Sequence, residues 1–175
     1  MELRLYPDPV LRRRAEAVRA FDPALADVAR GMVRLMHDHK GLGLAAPQAG
    51  LSLRLMIVVP DDAPDHETVM VNPEIVQTGG WEEAEEGCLS FPGIYIKNGR
   101  FARLRVRYQN LQGNPCQGEA EGLLARAVQH EVDHLDGRLL VDRMSVVQRL
   151  THRRRLRELE RRFEEQQGKA MINAK

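Results

Sequence analysis

No hydrophobic stretch in this sequence approaches the roughly 20 apolar residues that a membrane-crossing helix needs. The longest is Leu55 to Val59, closed by Pro60. The opening MELRLYPDPV lacks the basic and then apolar profile of a secretory signal, so a cytoplasmic protein with no membrane partner is expected. Cysteine is nearly absent. Cys88 and Cys116 could make one disulfide at most, and a 175-residue chain with no export signal gives little reason for one. An excess of one charge is missing too. With 26 Lys and Arg against 25 Asp and Glu, a net charge of +1 provides no global field to hold DNA or an anionic membrane. Nor does any repeat, low-complexity segment or Pro/Ser-rich linker divide the chain.

What remains is an ordinary globular balance, 43% hydrophobic and 29% charged, in a length that suits one domain over residues 1–175. Asp22-Pro23 reads as a helix start, and Leu25, Val28, Met32, Leu35 and Met36 recur at helical spacing before Gly41. GLGLAAPQAG at 41–50 is a small-residue loop, and 53–59 reads as a buried strand. A polar connection over 61–68 leads to two short strands, 69–71 and 74–78, separated by Asn72-Pro73. Residues 103–108 alternate as a half-exposed strand, with Leu104, Val106 and Tyr108 on one face and three arginines on the other. Residues 118–137 read as one helix closed by Gly137. A C-terminal helix over 145–168 opens on a capping box, Ser145 with Gln148, and is expected to fray near Gly168 into a tail, 169–175. Helices mixed with short strands outside strict βαβ alternation give an α+β fold, with short, mostly antiparallel sheets against the 118–137 helix.

That helix carries the chemistry. His130-Glu131-Val132-Asp133-His134 is an HExxH, and residues i and i+4 lie one turn apart on one face, where both imidazoles can reach one metal. Glu131, turned about 100° from His130, can stand beside the metal as a base without ligating it. The alternative is a solvated helix whose histidines merely face water. Against it, Leu123, Ala127 and Leu135 flank the histidines and put them on the buried stripe, where an unpaired imidazole is costly.

Two imidazoles leave a tetrahedral site short of one protein ligand if water takes the fourth position. Downstream, His152 and several glutamates sit in an Arg-rich helix, a poor ligand setting. Cys88, in EEGCLSFPG, is the better candidate, because a thiol beside glutamates gains nothing electrostatically unless a metal is there. Free cysteine is also a common core residue, and the residues alone leave both readings open. GLGLAAPQ by itself would be a structural loop, with no Lys-Ser/Thr to suggest a phosphate cradle.

GLGLAAPQ at 41–48, EGCLS at 86–90 and QHEVDH at 129–134, in this order, resemble the three signature motifs of peptide deformylases. LYPDPVLRRRAEAV near the start and HLDGRLLVDRMS after the third motif are similar to that family too, so the likeness spans most of residues 4–165. It implies an enzyme that removes the formyl group from the N-terminal methionine of nascent peptides. Cys88, His130 and His134 would ligate one divalent metal, natively Fe(II) in most of the family, with Zn(II), Ni(II) or Co(II) also able to occupy the site. Glu131 would take a proton from the metal's water, hydroxide would attack the formyl carbon, and Glu131 would then protonate the departing amine. The Gln48 amide and the Leu89 backbone N–H would face the developing oxyanion. Leu42, Leu123, Ala127 and part of His130 match the methionine pocket, Gly43 would let the substrate approach as an added strand, and Arg100 aligns with an arginine near the substrate backbone or carboxylate. Cys116 matches no ligand. Trp81 and residues 93–99 depart from the family pattern.

Two further readings stay on the table: an HExxH peptidase that cleaves internal bonds, and a catalytically silent metal-binding relative, against which the intact Glu131 argues. The C-terminal segment is locally basic. Arg143, Arg149, Arg153, Arg154, Arg155, Arg157, Arg161, Arg162 and Lys169 stand against only four glutamates, while the segment 61–87 holds acids and no Lys or Arg. A solvated helix face accounts for this, and so does docking on ribosomal RNA, for which members of the family are similar in using a C-terminal helix.

Overall fold

The computed structural model describes residues 1–59 and 67–173, with side chains as far as Gly168. Of the connection expected over 61–68, residues 61–66 lie outside the described residues and Thr68 already belongs to a strand. The first helix, α1 (Pro23–Asp38), starts where the Asp22 carboxylate accepts the Leu25 N–H at 3.1 Å, with Pro23 in the first turn. Its stripe of Leu25, Ala29, Met32, Leu35 and Met36 is buried. It stops short of Gly41 because Lys40 already takes a left-handed conformation (φ 56°), after which the Gly41 N–H returns to the Met36 carbonyl at 2.9 Å.

Strands β1 (Gly43–Ala45), β2 (Leu55–Val58), β3 (Thr68–Gly79), β6 (Arg103–Gln109) and β7 (Pro115–Glu121) form one antiparallel sheet in the order β1-β2-β3-β6-β7. Strands β4 (Glu82–Gly87) and β5 (Tyr95–Arg100) form a separate two-stranded sheet. The two short strands expected at 69–71 and 74–78 are one strand. At the interruption, Asn72 sits at φ 52° and its side chain replaces the missing ladder bonds, pairing with both Val18 backbone groups at 2.9 Å and with Gln109 at 2.8 Å. Pro73 therefore occupies a bulge, where no ladder donor is needed.

Helix α2 (Gly122–Leu135) is shorter than the 118–137 expected. Residues 118–121 belong to β7, where Glu119 faces Arg105 across the ladder at 2.6 Å, and the left-handed Gly122 turns the chain into the helix. Strands β4 and β5 were not expected: EEAEEG carries no β-branched or aromatic signal, and in YIKNGR the signal stops after Tyr95 and Ile96. A one-turn helix α3 (Leu140–Arg143) follows, and α4 (Val146–Asn173) runs past the expected end at Gly168. The capping box is present: the Ser145 N–H donates to Gln148 Oε1 at 2.8 Å and the Gln148 N–H to Ser145 Oγ at 3.2 Å.

The core falls into three apolar clusters. One lies between α1 and β1–β2, a second between the large sheet and α2. A third joins Leu11, Phe91, Ile94, Ile96 and the α3 region to Leu156 and Leu159 of α4. Helix α2 runs between the two sheets and is buried along most of its length. The architecture is α+β, and among the described residues no helix is long and apolar enough to cross a membrane.

Candidate metal centre

Helix α2 brings His130 and His134 to the same side, with ring centroids 4.9 Å apart. The turn after β4 brings Cys88 to them. One donor atom from each of Cys88, His130 and His134 lies within 4.8 Å of the other two, and Cys88 Sγ is 3.2 Å from His134 Nε2. A tetrahedral ion with bonds of about 2.3 Å to sulfur and 2.0 Å to nitrogen sets its donors roughly 3.3 to 3.5 Å apart, close to the Cys88–His134 separation and inside the 4.8 Å bound of the set. The set fits a divalent transition metal. The His134 Nδ1 is buried without a protein partner among the described residues, and so is Glu131 Oε2. Two orphaned polar atoms in so tight a pocket are costly unless water or substrate reaches them.

Glu131 is buried beside Gly43, where a Cβ would come within 2.6 Å of its Oε1. Burial pushes the Glu131 carboxyl up to about 7, with the charge of His130 opposing and that of Glu86 assisting. Burial and the neighbouring His130 and Arg100 charges hold His134 well below its ordinary value. Burial also acts to lower His130, but the Cys88 thiol and Glu86 outweigh it and raise that group.

Gln48 is oriented without ambiguity. Its Oε1 accepts the Ala45 N–H at 2.8 Å, so the amide nitrogen must face the other way, and it lies 3.6 Å from Cys88 Sγ and 3.3 Å from Ser90 Oγ. Leu89 follows Cys88 and lines the same cleft.

A carboxylate that the sequence reading did not single out stands behind His130. Buried Glu86 receives Arg100 through Nε (3.0 Å) and Nη2 (2.7 Å), Arg126 at 3.1 Å and Asn98 at 3.2 Å. Burial would raise it, but bonds from His130 and Arg100 hold it well below the usual carboxylate range. Ionised, it can only accept, so His130 Nδ1 (2.8 Å) carries a proton toward it and Nε2 is the nitrogen left for a metal.

Arg100 itself is a correction. Expected at the substrate backbone or carboxylate, it is 4% exposed, binds Glu86 and Asp133 (2.6 Å), and does not line the cleft. Two carboxylates in reach drew the guanidinium inward. Leu42, Gly43, Leu123 and Ala127 do line the cleft, a space of about 580 Å³ that also touches Glu131, Arg126 and Tyr95. Arg126 and Tyr95 are lining residues that sequence reasoning missed. Cys116 lies apart on β7 as a free thiol.

A family model described as polypeptide deformylase matches residues 1–150. A peptide deformylase of Thermotoga neapolitana is 44% identical over 158 residues, covering 90% of this chain and 94% of the relative. One of Acidobacterium capsulatum is 44% identical over 89% of this chain and 93% of its own length. Among solved structures, a peptide deformylase from Legionella pneumophila superposes with a TM-score of 0.86 at 41% identity, over 91% of this chain and 95% of that one. Arabidopsis thaliana peptide deformylase 1B in complex with an inhibitor gives a TM-score of 0.91 at 37% identity, over 96% and 94%.

Proposed function

The chain belongs to the peptide deformylase family, and from that premise we propose how its own residues remove the formyl group from the N-terminal methionine of nascent polypeptides. It is a metal-dependent hydrolase, and Cys88, His130 and His134 are the residues that hold the ion. A bound divalent metal supplies an acidified water and a Lewis acid for the formyl oxygen. Glu131, kept out of the ligand set and buried beside it, accepts the proton from the attacking water and returns it to the departing amine. The Gln48 Nε2–H and the Leu89 N–H donate to the oxygen as negative charge develops there. Glu86 keeps His130 in the tautomer that turns Nε2 to the metal.

Strands β1 and β4 each end a sheet and each borders the cleft, so the substrate backbone enters between them as an added strand. Leu42, Leu123 and Ala127 contact the methionine side chain, and the bare backbone of Gly43 leaves room beside Glu131. A thiolate with two imidazoles accepts Fe(II), Zn(II), Ni(II) or Co(II), and Fe(II) is proposed as the native ion. The substrate is made on ribosomes, which supports a cytoplasmic location and a ribosomal partner. The exposed part of α4 supports the latter, because Arg153, Arg154 and Arg157 surround a surface groove with Leu150.

One observation carries this reading: three metal donors within 4.8 Å of one another, with a buried carboxyl of raised pKa beside them. The test is formate release from formyl-Met-Ala-Ser by anaerobically prepared enzyme, abolished by a chelator and restored by Fe(II). Cleavage of internal bonds without formate would instead make it a peptidase, and retained metal with neither activity would make it a silent relative.

A further inference from the structure

The sole tryptophan of the chain, Trp81, is 63% exposed and stacks edge-on against Phe101, itself 40% exposed, with centroids 5.5 Å apart. An indole left in water at the start of β4 has no packing role that requires the exposure. Its setting is ordered. On the outer face of the β4–β5 hairpin, the Trp81 ring lies over Gly99, where a Cβ would come within 2.3 Å of it, and the Tyr95 ring lies over Gly87, with 2.7 Å to a Cβ there. The register pairs Gly87 with Tyr95 and Glu83 with Gly99, and a Glu83–Lys97 ion pair of 3.2 Å lies between the two rings. Two glycines thus seat two aromatic rings on one solvent face, one at each end of the hairpin.

The Tyr95 end is the cleft. Tyr95, Gly87 and Glu85 line it, and Arg126 ties its wall to the far end of β4 by donating to the Glu82 carbonyl at 3.0 Å. Strand β4 runs toward Cys88. A peptide that pairs antiparallel with its free edge therefore leaves the metal heading back toward Glu82 and Trp81. Trp81 precedes Gly87 by six positions, about 20 Å of strand at roughly 3.4 Å per residue.

We propose that the outer face of the β4–β5 hairpin is a second binding ledge for the formylated chain, on which Trp81 and Phe101 receive an apolar side chain at about its seventh residue. The ledge rests on the deformylase reading of the cleft and deepens it: the enzyme favours long nascent chains over short peptides, and among long chains those with an apolar residue at that position.

The test compares the Fe(II) holoenzyme on formyl-Met-Ala-Ser with formylated octapeptides that differ only at residue seven, Phe, Ser or Asp. The Phe peptide should exceed the Ser peptide in kcat/KM by about three- to tenfold, the size of an aromatic contact. Trp81→Ala should bring that ratio to one and leave the tripeptide rate unchanged. Independently of turnover, Trp81 is its own reporter. In Glu131→Gln loaded with metal, the Phe octapeptide should shift its fluorescence and formyl-Met-Ala-Ser should not. A ratio of one in the parent enzyme, a preference that survives Trp81→Ala, or silent fluorescence overturns the ledge. Absent tripeptide hydrolysis would strike at the deformylase reading itself, a separate failure.

Discussion

A methyl group at Gly43 would collide with the carboxylate proposed to carry the proton, since a Cβ there sits 2.6 Å from Glu131 Oε1 and 3.0 Å from its Cδ. Gly43→Ala should keep its metal while losing turnover, by about 10²-fold or more, because a base displaced by an ångström no longer meets its water. Metal analysis beside the formate assay checks this. Glu131→Ala should likewise retain metal and lose on the order of 10²- to 10⁴-fold. Activity above a tenth of the parent would remove Glu131 from that role. Cys88→Ser replaces a soft, charged ligand with a neutral hydroxyl, and metal affinity and rate should fall together; full occupancy at normal rate would count against the thiolate ligand. Glu131 was legible in the sequence because spacing puts His130, Glu131 and His134 on one turn, whereas Cys88 and Gly43 were legible only through the likeness of their motifs to a family. Glu86 was not, being one of four glutamates in EEAEEG that read as a solvated strip. Its burial comes from α2 and β5, which bring Arg126 and Arg100 to it from distant sequence. Glu86→Gln leaves those two guanidinium groups undercompensated in the interior. A loss of about 3–5 kcal/mol in denaturant-unfolding stability is expected, with weakened metal binding.

At the level of elements, legibility followed the source of each element's stability. Helix α1 was readable because its cap, its proline and its apolar stripe are all local. The β4–β5 hairpin was unreadable because its support is cross-strand and from α2. The last residues of β7, Glu119, Ala120 and Glu121, favour helix by composition and are held extended by Arg105 and its neighbours on β6. Helix α4 divides in two. Leu156 and Leu159 are 7% and 2% exposed in the third cluster, Glu160 accepts the Tyr6 hydroxyl at 2.9 Å, and Arg155 donates to the Pro92 carbonyl at 3.0 Å. A chain ending at Thr151 therefore loses core, and its Tm and its tripeptide activity should fall sharply, since each buried leucine is worth about 2–5 kcal/mol. A chain ending at Glu164 should match the parent in both. Equal behaviour of the two truncations would mean that α4 contributes nothing to the core.

For the whole molecule, the charge is nearly balanced and its distribution is not. Among the basic groups of α4 that reach solvent, Arg153, Arg154 and Arg157 are away from the cleft and can be reversed without touching Leu156 or Leu159. The triple change to Glu should reduce co-sedimentation with ribosomes at low salt and leave formyl-Met-Ala-Ser hydrolysis intact; the parent's association should itself fall steeply with added salt. Unchanged sedimentation would return α4 to an ordinary solvated helix.

The third cluster joins Leu11 from the start of the chain, Phe91 from the middle and Leu159 near the end, and Cys88 packs against it. Those partners meet only after Leu159 has left the exit tunnel, so while this protein is being made its metal centre is among the last parts to be completed. Each new copy shows its own first residue to the surroundings well before its cleft exists, and that residue is served by a molecule finished earlier.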